Sequence, residues 1–321
     1  MITQLSWPTL RSGIRRCVPF LHKSCAYTES ASKSSRYCYT VWLRHLITAH
    51  ANGMKPKWNS VAELGPGGSI GVGLAALLSG ASRYYGLDIV PHVDTESNLR
   101  VFDELADLFL QRAALPGDDE FPQCGPRLPS YEFPRSILTE SILDASLQPE
   151  RLERIRQSIV GSHGPGNDVS ITYVAPWTHE SVAEWGSVDF VLSQAVLEHV
   201  DDVEDTYNSL YRWLSPDGVM SHVIDFKCHG TTRDWNGHWT VSDAMWRFVR
   251  ANRSYLINRL PHSAHIAAIT KAKFRVLVDK RVERDSNVTR RCLATRFRSM
   301  PDEDVVTSGA LVQAQKSDVG A

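Results

Sequence analysis

The chain has 321 residues, with 35 basic and 36 acidic side chains and a formal net charge of −1. The hydrophobic fraction of 42% and the charged fraction of 22% are typical of globular proteins, which excludes a disordered, collagenous or coiled-coil chain. Because the charge is balanced, no overall field steers the chain towards nucleic acid or an anionic membrane. A small-molecule partner is therefore expected.

The cysteine content and the length of the apolar stretches indicate in which cellular compartment the protein is located. The six cysteines include no Cys-x-x-Cys pair and are too sparse for a disulfide scaffold, which favours reduced thiols in the cytoplasm. The longest nearly apolar stretch, residues 71–81, is shorter than the roughly 20 residues of a membrane helix. The apolar run at residues 17–21 is too short for a signal peptide. We expect a cytoplasmic protein with no membrane span.

Composition and periodicity also predict the domain organisation. Residues 1–35 are rich in Ser, Lys and Arg without a sustained period, which predicts a loose N-terminal arm. Residues 36–316 are expected to form a single domain and residues 317–321 a tail. Apolar side chains four positions apart predict an opening helix over residues 37–51.

A strand, a glycine-rich turn and a helix follow. The strand is predicted at residues 60–64, the turn at 65–69 and an apolar helix at 70–78. The next strand ends at Asp88, 23 positions after Gly65, a spacing close to that of dinucleotide-binding crossovers. In such units the glycines let the backbone approach a ligand and the acidic residue accepts ribose hydroxyls. The pair predicts a nucleoside ligand.

The third strand, residues 169–174, comes about 80 residues after the second, more than a short crossover requires. An insertion at about 98–168 is therefore predicted to form a cap. Helices are predicted at its two ends, 98–114 and 149–160, and a Pro- and Gly-rich part at 116–134.

The remaining strands are predicted at 187–193, 219–226, 274–278 and 309–314. A helix capped by Asp201 or Asp202 is predicted between the first two of these strands. Strands that alternate with helices and end in a late pair of strands predict an α/β fold.

Four motifs occur in the order found in one family. They are Glu63-Leu-Gly-Pro-Gly-Gly68, the strand end at Asp88, Val188-Asp-Phe-Val-Leu-Ser-Gln-Ala-Val-Leu-Glu-His-Val200, and Leu214-Ser-Pro-Asp-Gly-Val219. With them the chain resembles the class I S-adenosylmethionine-dependent methyltransferases of the small-molecule branch, over roughly residues 58–228. The resemblance implies an enzyme with a Rossmann-like sheet that is mostly parallel with an antiparallel last strand. It also implies S-adenosylmethionine as cofactor and a small-molecule acceptor.

The resemblance also implies which residues hold the cofactor: Glu63, Gly65, Gly67, Gly68, Asp88, Ser193 and Gln194. Two positions depart from the family pattern. Ser69 stands where a third glycine is frequent, and Val174-Ala-Pro-Trp177 lacks the acidic residue that usually contacts adenine. The adenine contacts are therefore left open.

Two rival functions remain open. A nicotinamide-dependent oxidoreductase would need glycine at position 70, where Ile70 stands, and the charge of Glu63 would repel a pyrophosphate. A non-catalytic methyltransferase-fold module that binds a ligand or a partner is the second. Titration with S-adenosylmethionine, S-adenosylhomocysteine and nicotinamide cofactors would distinguish them.

The segment after the fifth strand carries the candidates for catalysis. Acceptors lie there in the family, and His229 and His238 are predicted as general bases for a hydroxyl acceptor. Structural histidines are the alternative for both. The wider sequence resembles bacterial methyltransferases associated with surface-glycan biosynthesis, which implies a hydroxyl of a sugar or glycan precursor as acceptor.

A metal site is not expected from the sequence. Asp225, His229 and His222 include suitable ligand types, but strand alternation places His222 on the opposite face from Asp225. His199 is expected either to make a structural hydrogen bond or to face the ligand.

Overall fold

The computed structural model describes residues 5–9, 31–162, 168–182, 184–251, 253 and 255–317. Its sheet has seven strands, β1 Ser60–Leu64, β2 Arg83–Leu87, β3 Ser170–Val174, β4 Val188–Gln194, β5 Leu214–Asp225, β6 Phe274–Glu283 and β7 Thr307–Lys316. Their order across the sheet is β3-β2-β1-β4-β5-β7-β6. Strands β1 to β5 pair in parallel, whereas β7 is antiparallel to both β5 and β6. The predicted fold class is confirmed.

Nine α-helices that lie wholly within the described residues surround the sheet. They are α1 Ser35–Ala51, α2 Gly71–Leu78, α3 Thr95–Leu110, α4 Glu140–Ser146, α5 Pro149–Ile159, α6 Val203–Trp213, α7 Asp243–Arg250, α8 His262–Lys271 and α9 Asp302–Val306. Short polar side chains set several helix starts, because they accept the free N–H groups of the first turn. Ser34 caps α1 in this way and Asp202 caps α6.

Both faces of the sheet are covered, as parallel strands require. On one face, α1, α2 and α3 enclose a core in which Trp42 packs edge-on against Phe190 of β4, with ring centroids 5.6 Å apart. On the other face, α6 and α8 enclose a second core that contains Tyr207 and Trp213. The carboxyl ends of β1, β2, β4 and β5 meet at one edge of this sandwich.

Strands β5, β6 and β7 are longer than predicted, and β7 gains two residues at each end. Strand β5 begins at Leu214, opposite Val188, and a register shift at β4 accommodates the turn-like residues 216–218. Strand β6 runs to Glu283 because β7 continues to pair with it. Most side chains in the second half of β6 are exposed and charged, as is common on edge strands. This half therefore lacks the apolar alternation from which a strand is predicted.

The insertion divides into two parts. Helices α3 and α5 pack together and against α2 and β3, and the short helix α4 was not predicted. The loop over residues 111–139 instead reaches the end of β5, where a Cβ on Gly125 would lie 3.4 Å from Val223.

A buried arginine of α1 holds this loop. Nη1 of Arg44 donates to the carbonyls of Cys124 and Pro126 and to Asp118, and Nη2 donates to the carbonyl of Pro116. The Arg44 side chain is fully buried, so these carbonyls depend on it for hydrogen bonds.

Most of the arm predicted over residues 1–35 lies outside the described residues. Two described pieces of it are packed. Leu5 forms a bridge with Thr232, and residues 31–33 form a 3-10 turn ahead of α1. The predicted tail is described only at residue 317. Among the described residues, no helix combines the length and the apolar character needed to cross a membrane.

Candidate functional site

The glycine-rich turn follows β1 directly. Gly65 and Gly67 have φ values of +65° and +72°, in the left-handed region that glycine adopts without strain. The Gly65 N–H donates to the carbonyl of Leu87, which ties the turn to β2. A Cβ on Gly65 would lie 2.6 Å from a methyl carbon of Val196. Backbone conformation and close packing thus both require glycine here.

Asp88 stands beside this turn. Its Oδ2 accepts a hydrogen bond from the Gly67 N–H at 3.1 Å, and its Oδ1 accepts one from the Ile89 N–H at 2.7 Å. The chain crosses from β3 to β4 on the other side of β1, so this edge is the topological switch point of the sheet. The structure therefore brings the predicted pair Gly67 and Asp88 together where ligands bind in such sheets.

Glu63 points into the fold. The Tyr84 hydroxyl donates to its Oε2 at 2.6 Å. Burial raises the pKa of Glu63 to about 8, although the hydrogen bond from Tyr84 opposes the rise. The carboxyl is therefore mainly neutral at pH 7, and it supports the turn from the interior of the fold.

Residues ahead of α1 cover the turn. The N–H groups of Gly68 and Ser69 donate to the Ser32 hydroxyl, at 2.8 and 3.3 Å. The Ile70 N–H donates to Oδ1 of Asn98 and the Gly71 N–H to the hydroxyl of Ser69. Sequence reasoning missed Ser32, because its segment has no periodic pattern.

The other two predicted cofactor residues end β4. The Ser193 hydroxyl pairs with Nδ1 of His222 at 2.8 Å, and both residues are fully buried. Oε1 of Gln194 lies 3.1 Å from Nε2 of His45, which comes from α1. Ser193 thus faces the interior, whereas Gln194 is held at the strand end.

An open pocket of about 430 Å³ lies beyond β5. Its lining residues are Gln123, Asp225, Lys227, Cys228, His229, Gly230 and Trp235. Nε2 of His229 is 3.4 Å from Oδ2 of Asp225, and Lys227 pairs with the same oxygen at 3.1 Å. Nζ of Lys227 also donates to Gln123 of the insertion loop. The pocket thus joins the insertion to the segment after β5.

His238 does not line this pocket. It lies in the 3-10 turn Gly237–Thr240, is 2% exposed and packs against the ring of Trp239, with centroids 4.6 Å apart. Burial, and secondarily the charge of Arg259, lower the pKa of His238 to about 3. Of the two predicted bases, the structure brings only His229 to the pocket.

A cluster of three side chains, which the sequence did not predict to lie together, is found at the carboxyl ends of β4 and β5. Glu198 and His199, just after β4, meet His229 from beyond β5, and one candidate ligand atom of each lies within 4.8 Å of the others. Burial raises the pKa of Glu198 well above its usual value, and the nearby charge of Asp225 adds to the rise. Burial and then the charge of His229 lower the pKa of His199 to about 4. The sequence could have indicated this cluster. Glu198 and His199 follow β4, His229 follows β5, and the carboxyl ends of these two neighbouring strands adjoin.

The model of a family described as "Methyltransferase domain" matches residues 124–221, which include β3, β4 and most of β5. No curated protein sequence matches the chain.

Several solved structures are similar at low identity. A putative sarcosine dimethylglycine methyltransferase from Galdieria sulphuraria is 12% identical, with 86% of this chain and 85% of that one covered and a TM-score of 0.43. A methyltransferase from Mesorhizobium loti is 13% identical, covering 85% and 98%, with a TM-score of 0.41. Magnesium protoporphyrin IX methyltransferase from Synechocystis PCC 6803 is 10% identical, covering 95% and 94%, also at 0.41.

The strand order and the matched residues show the fold and part of the chain's domain content. A mostly parallel seven-stranded sheet with one antiparallel strand matches the Rossmann-like sheet of class I methyltransferases. Residues 124–221, less than half of the chain, match the model of a methyltransferase domain.

Proposed function

We propose that the protein transfers a methyl group from S-adenosylmethionine to a small-molecule acceptor bound in the pocket beyond β5. The acceptor group we favour is a hydroxyl of a sugar or glycan precursor. The observation that carries the proposal is the contact between the left-handed glycine turn and Asp88 at the switch point, on the same carboxyl edge of the sheet as that pocket.

The residues of the turn fit the cofactor. The Asp88 carboxylate can accept two ribose hydroxyls, and the left-handed turn at Gly65 and Gly67 brings its backbone beside this carboxylate. Glu63 stabilises the turn and α2 through Tyr84 instead of presenting a charge. Bound S-adenosylmethionine supplies an electrophilic methyl carbon, whose bond to sulfur breaks as a bond to the acceptor oxygen forms.

The chain itself contributes mainly positioning. Holding donor and acceptor in line can supply several kcal/mol of the barrier without a covalent intermediate. A hydroxyl acceptor must also lose its proton, and Asp225 and His229 are the groups of the pocket that face it. Gln123 and Lys227 provide polar contacts for the acceptor's remaining groups.

One observation weighs against a nicotinamide-dependent oxidoreductase. A dinucleotide needs free N–H groups at the start of the helix after the turn, to bind its pyrophosphate. Here the N–H groups of Gly68, Ser69, Ile70 and Gly71 already donate to side-chain oxygens. The charge argument from Glu63 loses weight, because burial keeps this carboxyl mainly neutral.

The test has two stages. Calorimetric titrations with S-adenosylmethionine, S-adenosylhomocysteine and NAD should show binding of the first two alone. Incubation with methyl-labelled S-adenosylmethionine and extracts enriched in sugar nucleotides should then transfer label to one acceptor class. Binding without any labelled product would favour a non-catalytic module, and binding of NAD alone would refute the proposal.

A further inference from the structure

Glu198 is an unusual residue that lies next to His229 of the pocket lining. Its side chain is buried, with the whole residue 3% exposed, and neither carboxylate oxygen has a hydrogen-bond partner in the part of the chain that the structure describes. An unpaired carboxylate in such a place is costly unless a cation or a proton satisfies it.

Two imidazoles face this carboxylate. Nε2 of His229 lies 3.9 Å from Oε1 of Glu198, and the rings of His199 and His229 have centroids 5.0 Å apart. Nδ1 of His199 is also buried without a hydrogen-bond partner among the described residues. Oδ2 of Asp225, 3.4 Å from Nε2 of His229, adds a second carboxylate.

We propose that Glu198, His199 and His229 bind a divalent transition-metal ion next to the pocket beyond β5, whose wall includes His229. Two nitrogens and one carboxylate are a ligand set suited to Zn²⁺, Co²⁺, Mn²⁺ or Fe²⁺, whereas Mg²⁺ and Ca²⁺ prefer oxygen ligands.

The spacing is compatible with binding after a small closure. Bonds of about 2.0–2.2 Å place the ligands of a tetrahedral ion roughly 3.4 Å apart. The ligand atoms of the cluster lie within 4.8 Å of one another. The His229 side chain, 33% exposed on the pocket wall, can make most of this adjustment.

Three protein ligands leave coordination positions open towards the pocket. An ion there would bind an oxygen of the acceptor and lower the pKa of its hydroxyl, so that the proton leaves to water before the methyl group is transferred. His229 would then be a ligand through Nε2 and not a general base. This role rests on the proposed function, whereas the metal site itself does not.

Metal binding can be measured without turnover. Untagged protein stripped with a chelator is titrated with Zn²⁺ against a chromophoric competitor, and one ion per chain is expected. Glu198→Gln and His229→Ala should each weaken binding by about tenfold or more, since even outer partners of metal sites contribute 10–100-fold. His179→Ala, which removes an exposed histidine elsewhere, is the matched control and should bind as the wild type does.

Cobalt provides a second measurement on the unmodified protein. Co²⁺ bound by two imidazoles and a carboxylate should give visible absorption much stronger than that of the hydrated ion. A spectrum equal to that of hydrated Co²⁺, or Zn²⁺ affinity that is equal in all four proteins, would overturn the site. A parallel titration with S-adenosylmethionine tests the proposed function separately: metal binding without cofactor binding refutes only the latter.

Discussion

Asp88 has the most direct role in the proposed cofactor site, because its carboxylate accepts the Gly67 N–H and is the charged group beside the turn. Asp88→Ala should weaken S-adenosylmethionine binding by about 1–3 kcal/mol, since two ribose hydroxyls would lose a charged acceptor. Calorimetry measures this change. Asp107→Ala, on the exposed side of α3, is the control and should leave affinity unchanged. Normal affinity in folded Asp88→Ala would remove Asp88 from the site.

Gly67 tests the turn itself. Gly67→Val should abolish cofactor binding, because a β-branched residue at a φ of +72° is strained by about 1–2 kcal/mol and distorts the turn. Gly161→Val carries the same strain at a φ of +74°, where a Cβ would meet open space. Both variants should lose similar stability in urea unfolding, and only the first should fail in calorimetry. Full binding by Gly67→Val would show that the turn is merely structural.

The buried carboxyl of Glu63 predicts a pH dependence of stability. Its pKa of about 8 in the folded chain exceeds the ordinary value of 4.5, so the folded state binds the extra proton between these values. Stability from this group is complete below about pH 4.5 and is lost as pH rises through 8, with a slope of up to about 1.4 kcal/mol per pH unit.

Urea unfolding at pH 5, 6, 7 and 8 measures that slope. Glu63→Gln should flatten it, because the amide has the shape of the neutral acid without its titration. Exposed Glu180→Gln is the control and should keep the slope of the wild type. Equal slopes in wild type and Glu63→Gln would mean that Glu63 is ionised in the folded protein.

At the scale of elements, α1 organises the site although it precedes the first strand. Its Arg44 holds the insertion loop, and its His45 holds Gln194 at the end of β4. The same insertion loop supplies Gln123 to the pocket. Helix α1, which lies outside the four family motifs, therefore links the end of β4 to the proposed acceptor pocket.

Arg44→Ala should destabilise the protein by about 3 kcal/mol, because it leaves several buried carbonyls without a donor. Limited proteolysis should then cut residues 116–134 faster. Arg36→Ala removes an exposed ion pair between α1 and Glu120 of the same loop and should cost less than about 1 kcal/mol. Equal effects of the two changes in urea unfolding would contradict the anchoring role of Arg44.

For the whole molecule, ligand binding and stability are linked. A ligand at 100 times its Kd stabilises the folded chain by about 2.7 kcal/mol if it binds only that state. S-adenosylmethionine and S-adenosylhomocysteine should therefore raise the melting temperature in a concentration-dependent way, and NAD should not. A shift with NAD alone in differential scanning calorimetry would favour the oxidoreductase.

Local patterns were enough to predict most of the sheet. Strands β1 to β4 lie within one or two residues of their predicted bounds, because short apolar runs between turn residues have a clear local signal. Strand β6 was too short in the prediction, since pairing with β7 maintains it where its own side chains are charged and exposed. Non-local hydrogen bonds of this kind leave no trace in a short stretch of sequence.

The sequence by itself determined the class of fold and the glycine turn with Asp88, because both depend on residues that are close along the chain. Only the tertiary structure decided which of the candidate side chains are buried and which line the pocket. It turned Glu63 inward to Tyr84, buried His238 under Trp239 and placed His229 beside Glu198 and His199. The reason is that side-chain direction and burial depend on what packs from distant segments, and these contacts set ionisation as well as access.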